Sequence, residues 1–206
     1  MINHNTSAKL FFLTKVILIY LLFSINISSS EQNINEKLIT VGINDAPIKI
    51  KVFSSLTCPH CANFHNSVVP KLKKYVDSGK IQIIFIDFPL DKAAFNASKL
   101  LHCLEKKKQI SFLDKIYEDQ EKWIVGSTFD EINNNLKKMV KSFGINNVEF
   151  DKCVNDDIIS DRILNSRIEA HKKYSIDATP TIVINEKKLK GPNNFKNIKK
   201  RIEKLI

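Results

Sequence analysis

Hydrophobic and polar residues alternate through Ile48-Lys49-Ile50-Lys51-Val52-Phe53, the period-2 pattern of a strand with one buried face. Asn44-Asp45-Ala46-Pro47 ahead of it is a turn signal, and residues 31–44 are polar and read as an extended arm. After Ser54-Ser55-Leu56-Thr57 and Cys58 the period lengthens. From Pro59 onward Phe64, Val68 and Leu72, with Val69, Tyr75 and Val76, fall at helical spacing as far as Gly79. Ile81 to Phe88 is almost continuously apolar, which predicts a central strand covered on both faces. Strand, helix and strand in this order make a βαβ unit with parallel strands.

The middle of the chain is helical. Residues 92–106 place Ala93, Ala97, Leu100, Leu101 and Leu104 on one face, and residues 110–124 follow less clearly. Asp130 to Phe143 carries a stripe of Ile132, Leu136, Met139, Val140 and Phe143, closed by Gly144. A further helix is predicted over 147–174, marked by Ile159, Ile163, Ala170 and Tyr174. Sheet then returns. Thr179-Pro180 leads into Thr181 to Asn185, a turn is expected at Glu186-Lys187, and Lys188 to Gly191 follows. Two strands so close together predict an antiparallel hairpin. The last helix, about 193–205, offers Phe195, Ile198, Ile202 and Leu205 to the core. The order β-α-β, helices, β-β-α resembles the thioredoxin layout: an α/β fold with a helical insertion, about 92–150, between the βαβ unit and the C-terminal ββα unit.

Length and composition fit that reading. The chain has 206 residues, 43% hydrophobic and 26% charged, with no internal repeat or low-complexity segment, which suits one folded domain of about 47–206 behind the 31–46 arm. The first thirty residues stand apart. Lys9 and Lys15 precede a short apolar run, Val16 to Ile27, and Ser28-Ser29-Ser30 offer small residues for a cut before Glu31. This is the pattern of a secretory signal peptide, with an uncleaved anchor as the alternative, and it predicts an exported, periplasmic chain. Formal charge is +10, and +8 without residues 1–30. The excess gathers in residues 186–206, with eight Lys/Arg against Glu186 and Glu203. No nucleic-acid motif accompanies it, so the expected partners include no nucleic acid. Four cysteines remain after export: Cys58, Cys61, Cys103 and Cys153. An even number in an exported chain favours disulfides, and four allow three connectivities.

Cys58-Pro59-His60-Cys61 lies where strand becomes helix. A helix N-terminus presents unpaired N–H groups and a partial positive charge, both of which favour a thiolate on Cys58. Pro59 suits the first turn because it has no N–H to lose, and His60 adds a donor or a positive charge. Cys61, one turn on, is placed to resolve a mixed disulfide. Three other readings compete. A zinc site would draw on His65 or His102-Cys103, but lacks the second close pair of ligands that structural sites supply. Haem attachment needs His after the second Cys, where Ala62 stands. A purely structural Cys58–Cys61 disulfide is the third. The reading calls for no cofactor and no metal.

Phe53-Ser54-Ser55-Leu56-Thr57-Cys58-Pro59-His60-Cys61, with Asp87-Phe88-Pro89-Leu90 and Ala178-Thr179-Pro180-Thr181, resembles the corresponding segments of the DsbA-like family of bacterial periplasmic thiol–disulfide oxidoreductases. The resemblance covers about residues 38–206. It implies catalysis by Cys58 and Cys61, redox tuning by Pro59 and His60, and a cis Pro180 beside them. Thr179 and Pro180 would then offer backbone to an extended substrate. It also implies unfolded exported proteins with free thiols as substrates, a DsbB-like quinone-linked membrane oxidase as partner, and a monomer. Two positions depart from the family pattern. Val52 stands where several members carry an acid. Thr179 is the residue found before this proline in the isomerases of the wider superfamily, whereas the best-known oxidase has Val. Cys103 and Cys153 lie outside the thioredoxin core, and compartment and parity favour a structural disulfide between them. Closing about fifty residues would constrain the unfolded chain by ~4 kcal/mol. The expected function is oxidation of newly exported proteins. The alternatives are a disulfide isomerase or reductase, and a peptide-binding chaperone with an incidental disulfide. Such isomerases usually dimerise through an additional N-terminal domain, for which residues 31–46 are too short.

Overall fold

The alternating strand occupies the middle of the sheet. In the computed structural model, which describes residues 38–206, β2 (Ile48–Ser54) buries Ile48, Ile50, Val52 and Phe53. The expected signal segment 1–30 and arm residues 31–37 lie outside the described residues. β3 (Ile81–Asp87) runs parallel to β2, from Ile48 opposite Ile81 to Ser54 opposite Asp87. β4 (Thr181–Ile184) is antiparallel on the other side of β2, with Ile50 opposite Ile184. The arm is not wholly an arm. Ile39–Val41 forms β1, antiparallel to β3, because its apolar residues complete the exposed edge of that strand. With the short β5 (Lys187–Lys188) the sheet order is β1-β3-β2-β4-β5.

Successive side chains of a strand point to opposite faces, so the sheet builds two cores. Ile50, Val52, Ile83, Phe85, Ile182 and Ile184 enter the larger one. Phe53 and Val183 turn the other way and pack with Phe88, Ala170 and Ile176.

The crossover from β2 to β3 is two helices, not one: α1 (Pro59–Ser67) and α2 (Val69–Asp77). Pro70 causes the break, since it has no N–H to continue the ladder of α1. The helices between β3 and β4 are α3 (Lys92–Cys103), α4 (Lys106–Glu118), α5 (Gln120–Trp123), α6 (Phe129–Lys141), α7 (Asn147–Val154) and α8 (Asp157–Tyr174). The helical region therefore continues to Tyr174, and the expected boundary near 150 falls inside α7. The single helix expected over 147–174 is also divided. Asp156 turns to extended backbone and caps α8 by accepting from the Ile159 N–H at 2.8 Å.

The hairpin turn sits one residue earlier than its sequence suggests. Asn185 and Glu186 both have positive φ, 44° and 63°, the pair a two-residue type I′ turn requires, so Lys187 is already in the strand. Asn185 is held there by accepting from the Lys49 N–H at 2.8 Å. The last helix, α9 (Phe195–Glu203), buries Ile198 and Ile202 and is capped by Asn194.

Candidate active site

The carboxyl ends of β2 and β3 and the approach to β4 converge on one end of the sheet. Cys58 ends the loop after β2 with extended dihedrals (φ −77°, ψ 119°) and is the N-cap of α1. Pro59 follows in the first turn, where its missing N–H costs nothing. The Cys58 carbonyl accepts from the N–H groups of Cys61 (3.0 Å) and Ala62 (3.1 Å). Its side chain is half-buried, and both Cys58 and Cys61 are free thiols. Cys61, one turn deeper, is only 1% exposed. Burial pushes its thiol up to about 12, against the opposing pull of the Thr179 hydroxyl and the Ser55 backbone. His60 is exposed at the rim, beside Pro59.

The Thr179-Pro180 peptide bond is cis. It lies across from the first cysteine: Cys58 Sγ donates to the Thr179 carbonyl at 3.5 Å. Thr179 Oγ1 is buried with no nitrogen or oxygen partner, and the polar group it acts on is the Cys61 thiol. The structure thus brings together Cys58, Cys61, Thr179 and Pro180, with Pro59 and His60 on the outer turn.

The loop before Cys58 is pinned from three directions. The Leu90 N–H donates to Ser55 Oγ at 3.3 Å, and Thr57 Oγ1 donates to Asp91, the cap of α3. The Tyr117 hydroxyl reaches the Ser55 carbonyl at 3.5 Å. Gln120, buried in α5, donates to two carbonyls, Leu56 at 2.8 Å and Cys58 at 3.1 Å. Sequence reasoning missed Gln120. Its one signal was a polar side chain in a segment whose apolar pattern was indistinct.

Val52 is 3% exposed in β2 and offers no proton acceptor beneath Cys61. In sheet register Asp87 stands opposite Ser54. It pairs with His102 at 2.6 Å. Burial pushes the Asp87 carboxyl up, but the His102 charge and hydrogen bonds from His102 and Ser98 outweigh it and hold the group below its ordinary value. His65, the other histidine considered as a ligand, faces Asp114 at 2.7 Å. Each histidine thus has its own carboxylate, and among the described residues no three His, Cys, Asp or Glu side chains gather as a metal site.

Cys103 and Cys153 are joined, with Cα atoms 5.9 Å apart and a sequence separation of 50. The bond ties the last turn of α3 to α7, outside the sheet. No helix among the described residues is long and apolar enough to cross a membrane.

The thioredoxin family model matches residues 34–204. A Rickettsia bellii protein named as a protein-disulfide oxidoreductase is 30% identical over 154 residues, spanning 74% of this chain and 58% of that protein. The chain therefore covers under two thirds of that relative. Disulfide bond formation protein D of Bacillus subtilis is 25% identical over 175 residues, covering 81% of this chain and 76% of its own. The crystal structure of Wolbachia pipientis alpha-DsbA1 superposes with a TM-score of 0.72 at 30% identity, covering 82% of this chain and 90% of the other.

Proposed function

The chain belongs to the DsbA-like family of thiol–disulfide oxidoreductases within the thioredoxin fold, and on that premise we propose that it introduces disulfide bonds into newly exported proteins through Cys58 and Cys61. The observation that carries the reading is the asymmetry of the pair. One sulfur is half-buried at a helix N-terminus against the Thr179 carbonyl, and the other is buried one turn below.

In the oxidised protein the two sulfurs share a bond. A substrate thiolate attacks Cys58 Sγ, the accessible sulfur, and the Cys58–Cys61 bond breaks. Cys61 leaves and takes a proton, which its buried setting favours. A second substrate thiolate attacks the substrate sulfur of the mixed disulfide. Cys58 leaves as the thiolate favoured by the N–H groups and dipole of α1. The substrate has lost two electrons and gained a disulfide, and the protein has become the dithiol. Thr179 and Pro180 serve as the backbone platform on which an extended substrate strand aligns its cysteine with Cys58. Reoxidation belongs to a DsbB-like, quinone-linked membrane oxidase. Pro59 and His60 tune the pair from the outer turn, the Cys103–Cys153 bond is structural, and the site acts in the periplasm as a monomer without cofactor.

Cys61→Ala tests the scheme. Given peptides already joined in a disulfide, it should accumulate mixed disulfides between Cys58 and one half of the peptide disulfide, the other half leaving as the thiol, while Cys58→Ala forms none and is inactive. Unchanged peptide handling by both variants would instead make the protein a chaperone with an incidental disulfide. Thr179 favours a second reading, an isomerase or reductase kept reduced. Its buried hydroxyl faces the Cys61 sulfur and is placed to bond a thiolate during reshuffling. Thr179→Val should then lower isomerase turnover more than oxidase turnover, and an unchanged ratio would remove this reading.

A further inference from the structure

The lysines of this chain fall into two populations. Nine of the described lysines face carboxylates, as Lys73 does Asp77 at 2.7 Å, Lys107 does Glu105 at 2.8 Å and Lys122 does Asp119 at 2.8 Å. Where β5 meets α9 they do not. Lys187, Lys188 and Lys190 on one side, and Lys200, Arg201 and Lys204 on the other, line one groove of about 410 Å³. No acid lines it. Among the described residues none of these six cations has a carboxylate partner. Lys188 Nζ donates to the Ser175 carbonyl at 2.9 Å, and no other side chain of the six has a polar contact. Like charges held around a concave surface repel one another, and they raise the local concentration of anions.

We propose that the groove between β5 and α9 is a docking surface for anionic phospholipid headgroups, by which the protein rests on a negatively charged membrane leaflet. Four features together favour lipid over other polyanions. The groove admits a phosphate between the two rows of cations. Leu205 and Ile206, 36% and 64% exposed, follow Lys204 and give the basic surface the apolar edge that an interfacial segment inserts between headgroups. No aromatic side chain lines the groove for base stacking. Its one side-chain amide, Asn197, already donates to the Lys190 and Pro192 carbonyls and is not available to read a base edge. The inference rests on charge and shape, and is independent of the redox reading.

The test uses the chain from Glu31 onward, which keeps the whole described sheet and both cores and omits the apolar run Val16 to Ile27. It is sedimented with phosphatidylcholine vesicles with and without phosphatidylglycerol, at low and high salt. Binding should require the anionic lipid and fade with salt. Each cation near an anionic surface is worth about fivefold in affinity. The triple variant Lys190→Gln, Lys200→Gln, Lys204→Gln should therefore bind ~100-fold more weakly. A control of equal charge, Lys73→Gln, Lys107→Gln, Lys122→Gln, should retain most of the binding, because its lysines are paired elsewhere. Equal binding to neutral vesicles, or an equal loss in the control, would overturn the proposal. So would tighter binding of a single-stranded oligonucleotide that the groove variant abolishes, since it would make nucleic acid the occupant. Competition by inorganic phosphate at low concentration would likewise replace the bilayer with a free anion.

Discussion

Alkylation of the reduced protein should separate the two active-site thiols almost completely. Cys61 is 1% exposed, and burial pushes its thiol up to about 12 from an ordinary 9.0. That displacement corresponds to ~4 kcal/mol in favour of the neutral thiol. At pH 8 a group titrating near 12 is ionised in roughly one molecule in 10⁴. The thiolate is the nucleophile, so ionisation alone slows Cys61 by ~10⁴ relative to a fully ionised thiol, before access is counted. Cys58 is half-buried at the N-terminus of α1, where the reagent reaches its sulfur directly. The assay is a short pulse of iodoacetamide at a series of pH values, quenched with acid, with peptide fragmentation assigning the label to one cysteine or the other. Cys58 should carry essentially all the label from pH 6 to pH 9. Labelling of Cys61 should stay near background and climb about tenfold per pH unit. Labelling of Cys61 within tenfold of Cys58 at pH 8, or a plateau in its rate below pH 9, would refute the argument and remove the division of labour built on it.

Gln120→Ala leaves the Leu56 and Cys58 carbonyls without their donor and should cost ~1–3 kcal/mol of stability in urea unfolding, with the active-site loop gaining hydrogen exchange; an unchanged midpoint would mean water replaces the amide freely. Asp87 is held below its ordinary 3.8, because the His102 charge and its hydrogen bonds outweigh burial. Its contribution to stability is therefore complete above about pH 4 and is lost as pH falls through the lower folded value. Asp87→Asn should be less stable than the parent at neutral pH and should lose less on acidification, and parallel pH profiles would contradict this. The double variant Cys103→Ala, Cys153→Ala opens a loop of 50 residues and should lower stability by ~4 kcal/mol in non-reducing denaturation, while sparing the Cys58 alkylation rate.

The parts of the fold legible in the sequence are those where one physical signal dominates. β2 alternates, β3 is continuously apolar, and Cys-Pro-His-Cys stands at the change of period between strand and helix. Ile39–Val41 was not legible because three residues are too few to show a period, and what makes them a strand is the free edge of β3. The break before Val69 had a signal in Pro70, outweighed in the reading by the helical spacing on either side. Asn155-Asp156 concealed another break, for the next helix resumes close to the earlier phase and only the cap of Asp156 marks the interruption. Pairings such as Asp87 with His102, and Gln120 with the loop carbonyls, depend on which helix lies over which strand end. No local pattern encodes that.

The reach of Gln120 bears on how far this redox centre is a portable module. The amide that sets two carbonyls of the cysteine loop lies 64 and 62 residues along the chain from them, in the helical layer between β3 and β4. A four-residue motif moved to a bare sheet-and-helix scaffold would bring its cysteines but leave this anchorage behind. The helices act as a jig around the loop, so an exchange of that layer between relatives would change what holds the Leu56 and Cys58 carbonyls even if every residue from Phe53 to Cys61 were kept.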